Sequence, residues 1–140
     1  MRRYIHETVV STPPESLFRA ITELTHWPRW DPELESIEHD GALAPGTRFF
    51  LTPRGGPRVR MSIEKAEAPS CFSDLSHLPL ATLRTVHEFH PVPGGGTRVR
   101  LTLEVFGPLG FLWDRLLVRK QAAGAEAQTR AFVRHVEQRS

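Results

Sequence analysis

The chain has little of several residue types, and each shortage excludes a class of protein. Its single cysteine, Cys71, excludes an internal disulfide framework and any zinc site built from several cysteines. No apolar run approaches the length needed to cross a membrane, and the N-terminus lacks the apolar core of a signal peptide. We therefore expect a cytoplasmic protein without stable membrane insertion, metal or other cofactor.

An excess of charge of one sign is also missing. The 18 Lys and Arg residues oppose 16 Asp and Glu residues, which leaves a net charge of +2 without any block of like charge. Nucleic acid is therefore not an expected partner. A length of 140 residues and a hydrophobic fraction of 39% are typical of one globular domain, so we expect a single domain over residues 1–140.

The first part of the chain has the pattern of a strand followed by short helices. Residues 3–11 are rich in β-branched residues and end at a proline pair, which predicts a strand. Ser11 or Thr12 is placed to cap a helix whose apolar residues recur at helical spacing: Leu17, Phe18, Ile21 and Leu24. The segment HWPRWDP then favours one further helical turn with Trp27 and Trp30 on one side.

Six strand-like segments follow, separated by short stretches rich in turn residues: ELESIEHD (33–40), TRFFLTP, RVRMSIEKA, CFSDLSH, ATLRTVHEFH and TRVRLTLEVF. Glycines in the separators 53–56 and 93–96 suit tight reversals, so we expect consecutive strands to be antiparallel.

Alternation in the last of these segments predicts which side chains are buried. We expect the aliphatic residues to face inward, namely Val99, Leu101, Leu103 and Val105. We expect Arg98, Arg100 and Thr102 to face solvent.

A long C-terminal helix is predicted over residues 109–137, with a kink at Gly124. Its expected buried positions are Leu112, Leu116, Ala123, Ala127, Phe132 and Val136. The complete order predicts an α+β fold in which a seven-stranded curved antiparallel sheet wraps around this helix, with two short helices between the first two strands. Such a sheet leaves room for a cavity beneath it.

Three segments in this order resemble a known group of proteins: TPPESLFRAITELTHWPRWDP, GTRFFLTPRGGPRVRMSIEKAEAP and HEFHPVPGGGTRVRLTLEVFGPLG. Together they are similar to the START-related helix-grip (SRPBCC) superfamily, and within it to the bacterial polyketide cyclase/dehydrase branch. The resemblance spans nearly the whole chain. It implies a helix-grip fold with a cavity for hydrophobic or polycyclic molecules, as in members that are lipid carriers, receptors, cyclases or dehydratases.

Two polar residues are candidates for chemistry inside this cavity. Asp74 alternates with Phe72 on one predicted strand, and His87 alternates with Phe89 on the next. If these sides face inward, Asp74 and His87 come close and form an acid–base pair. The alternatives are a structural hydrogen-bonded pair, or a register that places Asp74 in solvent. His87 and His90 do not indicate zinc, because residues three apart on a strand point to opposite faces.

The remaining candidate residues form the wall of the cavity. We expect an apolar lining of Phe49, Leu51, Met61, Phe72, Phe89, Leu101, Leu103, Leu112 and Leu116. Trp27 and Trp30 either stack on a flat ligand at the mouth or anchor the short helices in the core. On the first strand, Glu7 shares a side with Ile5 and Val9, which leaves it either inward-facing or solvated at the sheet edge.

These features predict a protein that binds a small hydrophobic ligand, such as a lipid or a polyketide-like or aromatic molecule. One alternative is a cyclase or dehydratase that uses Asp74 and His87 in the same cavity. A second alternative is a protein-interaction module with a filled interior. The sequence leaves a homodimer open.

Overall fold

One antiparallel sheet dominates the computed structural model, which describes residues 2–39 and 41–139. Its strands are β1 (Arg2–Val10), β2 (Leu34–Glu38), β3 (Arg48–Pro53), β4 (Val59–Glu67), β5 (Cys71–Leu78), β6 (Ala81–Pro91) and β7 (Thr97–Phe106). The order across the sheet is β1-β7-β6-β5-β4-β3-β2, so β1 and β2 form opposite edges. The seven predicted strands are confirmed, although the second ends at Glu38 and its predicted end, Asp40, lies outside the described residues.

The helices occupy the predicted places in the chain. A short helix α1 (Pro14–Ile21) and a 3₁₀ helix (Leu24–Arg29) connect β1 to β2. Pro13 takes the capping position of α1 without any side-chain cap, so the predicted Ser11 or Thr12 cap is wrong. The C-terminal helical region consists of α2 (Gly110–Trp113), a π turn (Asp114–Val118), α3 (Arg119–Ala123) and α4 (Ala125–Arg139).

The C-terminal region packs across one face of the sheet, which we call the inner face. One apolar cluster brings Leu101 and Leu103 against Val118 and Ala125. A second, larger cluster packs Phe132 and other residues of α4 against the sheet and the short helices. The helix-grip arrangement expected from the sequence is therefore confirmed.

Strand β7 has the predicted alternation, but two polar residues of its outer face, Thr102 and Glu104, are buried. Val99, Leu101, Leu103 and Val105 are at most 5% exposed on the inner face. Thr102 points to the outer face as expected but is only 8% exposed. It is covered because β7 lies inside the sheet, where Ile5 of β1 and Val86 of β6 are directly opposite Thr102.

Strand β1 directs Tyr4 and His6 to the inner face. The side that carries Ile5, Glu7 and Val9, whose inward facing was one of the two alternatives, faces outward. Ile5 and Val9 are 57% and 58% exposed on the outer face, and Glu7 beside them accepts a hydrogen bond of 2.8 Å from Arg100. Tyr4 and His6 are half-buried on the inner face. Alternation alone does not decide the facing of an edge strand that carries β-branched residues on its solvated side.

The C-terminal helix also departs from its predicted register. Leu116 is 62% exposed, so its expected place in the cavity wall is wrong, and Ala123 and Ala127 are exposed as well. The buried side chains of this segment are instead Val118, Ala125 and Thr129, followed by the predicted Phe132 and Val136 and by Val133. The cause is the π turn, which adds one residue to a turn, together with the interruption at Gly124.

Within residues 2–39 and 41–139, no helix is both long and apolar enough to cross a membrane. In the same residues, no three His, Cys, Asp or Glu side chains come together as a metal site.

Candidate ligand site

A group of polar side chains lies on the inner face between the two apolar clusters. We call Asp74, Thr85 and His87 the polar group. Asp74 is directly opposite Thr85 across β5 and β6, and His87 is directly opposite Phe72. Asp74 is 2% exposed and Phe72 is fully buried, which confirms that this side of β5 faces inward. The fold therefore places three hydrogen-bonding side chains on an otherwise apolar surface.

Asp74 and His87 are diagonal neighbours on adjacent strands, because they lie two positions out of register. Diagonal positions in an antiparallel pair are about 7 Å apart between Cβ atoms. No hydrogen bond joins Asp74 and His87 in the described part of the chain, so the two side chains do not form the direct pair considered from the sequence. A single small molecule between them is within reach of both.

The carboxyl group of Asp74 is held in its protonated form at neutral pH. Desolvation by burial, with a smaller contribution from the negative charge of Glu64, raises the pKa of Asp74 to about 8. Glu64 accepts hydrogen bonds from Ser73 and Arg84, on the outer side of the sheet. Asp74 is therefore a neutral acid that is able to donate a hydrogen bond.

The imidazole of His87 is neutral under the same conditions. Desolvation lowers the pKa of His87 to about 4, and its ring lies beside Phe72 with centroids 6.4 Å apart. His87 is only half-buried by accessible area, so the residue keeps some accessible surface. At pH 7 the site thus presents a proton donor and an unprotonated base on neighbouring strands.

Neither side chain has a hydrogen-bonding partner among the described residues. Among the described residues, some side-chain polar atoms are fully enclosed and have no hydrogen-bonding partner: Nδ1 of His26, Nε1 of Trp30, Nε2 of His39 and Nε2 of His135. No atom of Asp74 or His87 belongs to this group. The atoms of Asp74 and His87 therefore keep some accessible surface. Unpaired polar atoms that keep accessible surface are suited to an incoming ligand or water.

Part of the predicted cavity wall is instead a packed aromatic core. Trp27 and Trp30 are at most 8% exposed, and Nε1 of Trp27 donates a hydrogen bond to the carbonyl oxygen of Ile21. Their rings contact three phenylalanines, namely Phe49, Phe72 and Phe132. Phe89 and Met61 belong to the same cluster, and Leu51 packs half-buried against it. The structure thus places the tryptophans as core anchors.

Two clefts lie between the edge strand β1 and the C-terminal helices, and no residue of the polar group lines either of them. The first, of about 320 Å³, is lined by Arg3, Tyr4, Ile5, His6, Leu101, Leu103, Ala122 and Ala125. The second, of about 330 Å³, adjoins it at His6 and is more polar, with Thr8, Thr129, Arg130 and Arg134 among its lining residues. Leu101 and Leu103 are directly opposite His87 and Thr85, so the floor of the first cleft is one strand, roughly 5 Å, from the polar group.

Sequence reasoning identified some of this site and missed the rest. Asp74 and His87 face inward, Leu101 and Leu103 line a cleft, and Leu112 is half-buried at the start of the helix. Tyr4 and His6 were missed because the other side of β1, with Ile5 and Glu7, was the one considered as inward-facing. Thr85 lies two positions before His87 on β6 and therefore on the same side of the strand, so the same period-two pattern could have identified it.

Comparison with known proteins agrees with this geometry. The family model described as "Polyketide cyclase / dehydrase and lipid transport" matches residues 1–137. No curated protein sequence matches the chain.

Solved structures share the complete fold at low sequence identity. The protein TTHA0849 from Thermus thermophilus is 23% identical with a TM-score of 0.75, and 99% of each chain is covered. Norcoclaurine synthase from Thalictrum flavum, solved in complex with dopamine and hydroxybenzaldehyde, is 14% identical with a TM-score of 0.76, covering 99% of this chain and 88% of that one.

A START superfamily protein from Mycobacterium smegmatis is 15% identical with a TM-score of 0.72, and 99% of each chain is covered. At these identities the structures show the fold alone, whereas the family model covers almost the whole chain. The chain belongs to the polyketide cyclase/dehydrase and lipid transport family.

Proposed function

We propose that the protein binds a small, mainly apolar molecule that carries a carbonyl or similar acceptor, and that Asp74 donates a hydrogen bond to this acceptor. The observation that carries the proposal is the state of Asp74, which is 2% exposed, has a pKa of about 8 and has no partner among the described residues. A buried acid that stays neutral loses less by desolvation than a carboxylate does. It gains a hydrogen bond when an acceptor arrives.

The surroundings of Asp74 support an apolar partner. Ile63 and Thr85 are directly opposite it on the two neighbouring strands, and Leu103 follows Thr85 in the same row. The cleft of about 320 Å³ that Leu101 and Leu103 line, one strand away from Thr85 and His87, is within the volume range of small-molecule sites. These openings favour a ligand over a protein-interaction module, for which a filled interior is expected.

A matched pair of ligands tests the proposal. The bicyclic ketone 1-tetralone carries one carbonyl, and tetralin has the same rings without it. Isothermal titration at pH 7 should show tighter binding of 1-tetralone, by about tenfold, because one hydrogen bond distinguishes the two. Asp74→Leu should abolish this difference, whereas Asp74→Asn keeps a donor and should retain most of it.

Ser73→Ala is the control, since Ser73 is buried on the other face of the same strand. Equal binding of the two ligands to the wild type would contradict the role of Asp74. Absence of any apolar ligand, both in titration and in native mass spectrometry of protein from its own host, would contradict ligand binding altogether.

A second candidate function is dehydration or cyclisation in the same site. The opposite pKa shifts of Asp74 and His87 favour it, because they supply a protonated acid and an unprotonated base at pH 7. In the dehydration of a β-hydroxy ketone, His87 would take the proton from the α-carbon. The hydroxyl group would leave as water with the proton of Asp74, and exchange with solvent would restore both groups.

Rates separate the enzyme from the carrier. With an aryl β-hydroxy ketone as substrate, His87→Gln should lower the rate of enone formation by about 10² to 10⁴ if His87 is the base. In a carrier the same substitution changes ligand affinity only modestly, and no enone forms above the background rate.

A further inference from the structure

Three large apolar side chains are exposed on the β5–β6 turn and on the first half of the C-terminal helical region, two elements that are in contact. Leu80, Phe111 and Leu116 are 65%, 60% and 62% exposed, and we call them the apolar patch. Leu80 lies in the turn between β5 and β6, and the other two lie in the first half of the C-terminal helical region. Large side chains exposed to this extent at one place on a protein surface indicate an interaction site.

The turn and the helix that carry this patch are fixed against each other. The backbone amide of Leu109 donates a hydrogen bond of 2.9 Å to the carbonyl oxygen of Leu80. The indole Nε1 of Trp113 donates another, also of 2.9 Å, to the carbonyl oxygen of Pro79. The side chains of the patch are therefore carried by two elements that hydrogen bonds hold together.

The π turn accounts for the exposure of Leu116. In a regular α-helix, Leu116 would follow Leu112 after about one turn and share its half-buried side. The π turn over Asp114–Val118 instead places Val118 in the core and leaves Leu116 outside. π turns occur frequently at functional sites.

The charges around the patch are positive. The side chains of Arg115 and Lys120 are exposed and have neither an ion pair nor a hydrogen bond within residues 2–39 and 41–139. From residue 105 to residue 125 the chain carries one acid, Asp114, whose side chain is 1% exposed and already paired with Arg119. The exposed side of this helical segment is thus apolar and basic, as in helices that lie on membrane surfaces.

We propose that the apolar patch, together with Arg115 and Lys120, docks the protein onto an anionic lipid bilayer. The apolar side chains enter the boundary between headgroups and acyl chains, and the two cations remain at the level of the anionic headgroups. A second copy of the chain fits this surface less well, since a symmetric contact would bring Arg115 and Lys120 of both copies together. This surface is separate from Asp74 and His87, and its test needs no cavity ligand.

Co-sedimentation with lipid vesicles tests the proposal. The wild type should partition onto phosphatidylcholine vesicles that contain phosphatidylglycerol, and much less onto pure phosphatidylcholine. Phe111→Ser with Leu116→Ser should weaken partitioning by on the order of tenfold or more. Arg115→Gln with Lys120→Gln should weaken it about fivefold for each charge removed, with a smaller effect at high salt.

The matched control is Ile5→Ser with Val9→Ser, which removes two apolar residues of almost equal exposure from the outer face of β1. This control should partition like the wild type, and circular dichroism should show all variants folded. Equal partitioning of the wild type and the Phe111/Leu116 variant would overturn the proposal. So would a wild-type dimer in analytical ultracentrifugation that the Phe111/Leu116 variant loses.

Discussion

The hydroxyl group of Tyr4 donates a hydrogen bond of 2.6 Å to Oδ1 of Asp114, and this pair joins the edge strand β1 to the π turn. The side chain of Asp114 is 1% exposed and also accepts a hydrogen bond of 3.0 Å from Arg119. Burial alone would raise the pKa of Asp114, but the hydrogen bonds from Tyr4 and Arg119 lower it below its usual value. The first cleft has Tyr4 in its wall, so the same pair also fixes one side of that opening.

Replacing Tyr4 should therefore destabilise the protein beyond the loss of one hydroxyl group. Tyr4→Phe leaves a buried carboxylate with one donor fewer, and we expect the free energy of unfolding to fall by about 1–3 kcal/mol in urea titrations. Arg100→Gln is the comparison, because it removes the exposed ion pair between Arg100 of β7 and Glu7 of β1 and should cost less than about 1 kcal/mol. Equal effects of the two substitutions would contradict this account.

The raised pKa of Asp74 should make stability decrease as pH rises. Its pKa is about 8 in the folded protein and about 4 in an unfolded chain, so the folded state binds the extra proton between these values. His87 has the opposite effect between about pH 4 and 6.5, because there the unfolded chain binds the extra proton. From pH 6.5 to 8 the effect of Asp74 remains, and we expect a loss of about 1–2 kcal/mol.

Urea titrations at several pH values provide the measurement. Asp74→Asn should remove the decrease between pH 6.5 and 8 and be relatively more stable at pH 8. His87→Gln should keep that decrease and lose the opposing rise between about pH 4 and 6.5. A wild-type profile that rises from pH 6.5 to 8 would show that Asp74 is ionised in the folded state.

Ligand affinity should also depend on whether Asp74 is protonated. If protonated Asp74 donates to the carbonyl of 1-tetralone, affinity should be constant up to about pH 7 and fall above the pKa of about 8. Asp74→Asn carries a donor that does not titrate, so its affinity should not change over this range. Titration calorimetry at a series of pH values distinguishes the two, with tetralin as the ligand expected to show no decrease.

Gly107 should tolerate substitution less well than the turn glycine Gly55. It has a φ of +110°, and a Cβ atom there would lie 2.9 Å from the carbonyl oxygen of Leu80. Gly55 also has a positive φ, +76°, but no atom lies within 4 Å of its Cβ position. Thermal and urea unfolding should show that Gly55→Ala costs roughly 1–2 kcal/mol, and that Gly107→Ala costs about 1–3 kcal/mol more.

The strands were predictable because local patterns decide them. In β7, four aliphatic residues alternate with polar ones over a whole strand, so both its existence and its facing follow from a period of two. Asp74 and His87 were predicted inward by the same reasoning, since each alternates with a phenylalanine. The protonation of Asp74 was not predictable, because it depends on burial by residues distant in sequence.

The register of the C-terminal helix could not be predicted for a different reason. A π turn depends on how the helix packs against its surroundings, and the spacing of apolar residues in the sequence does not indicate where the extra residue is inserted. Leu116 was consequently assigned to the cavity, although the turn directs it to solvent. The facing of β1 was ambiguous because Tyr4 and Ile5 are both good strand residues, and their neighbours in β7 decide which one is covered.

The pairing of β1 with β7 affects how the protein is made. Arg2 is opposite Val105, so the first strand of this sheet in chain order pairs with the last one. During translation, β1 has no partner until β7 has been synthesised. Pairing the two strands closes a loop that contains the rest of the sheet, and closing such a long loop slows folding. Until then, the edge of β1 that β7 will occupy is available to chaperones and to other nascent chains.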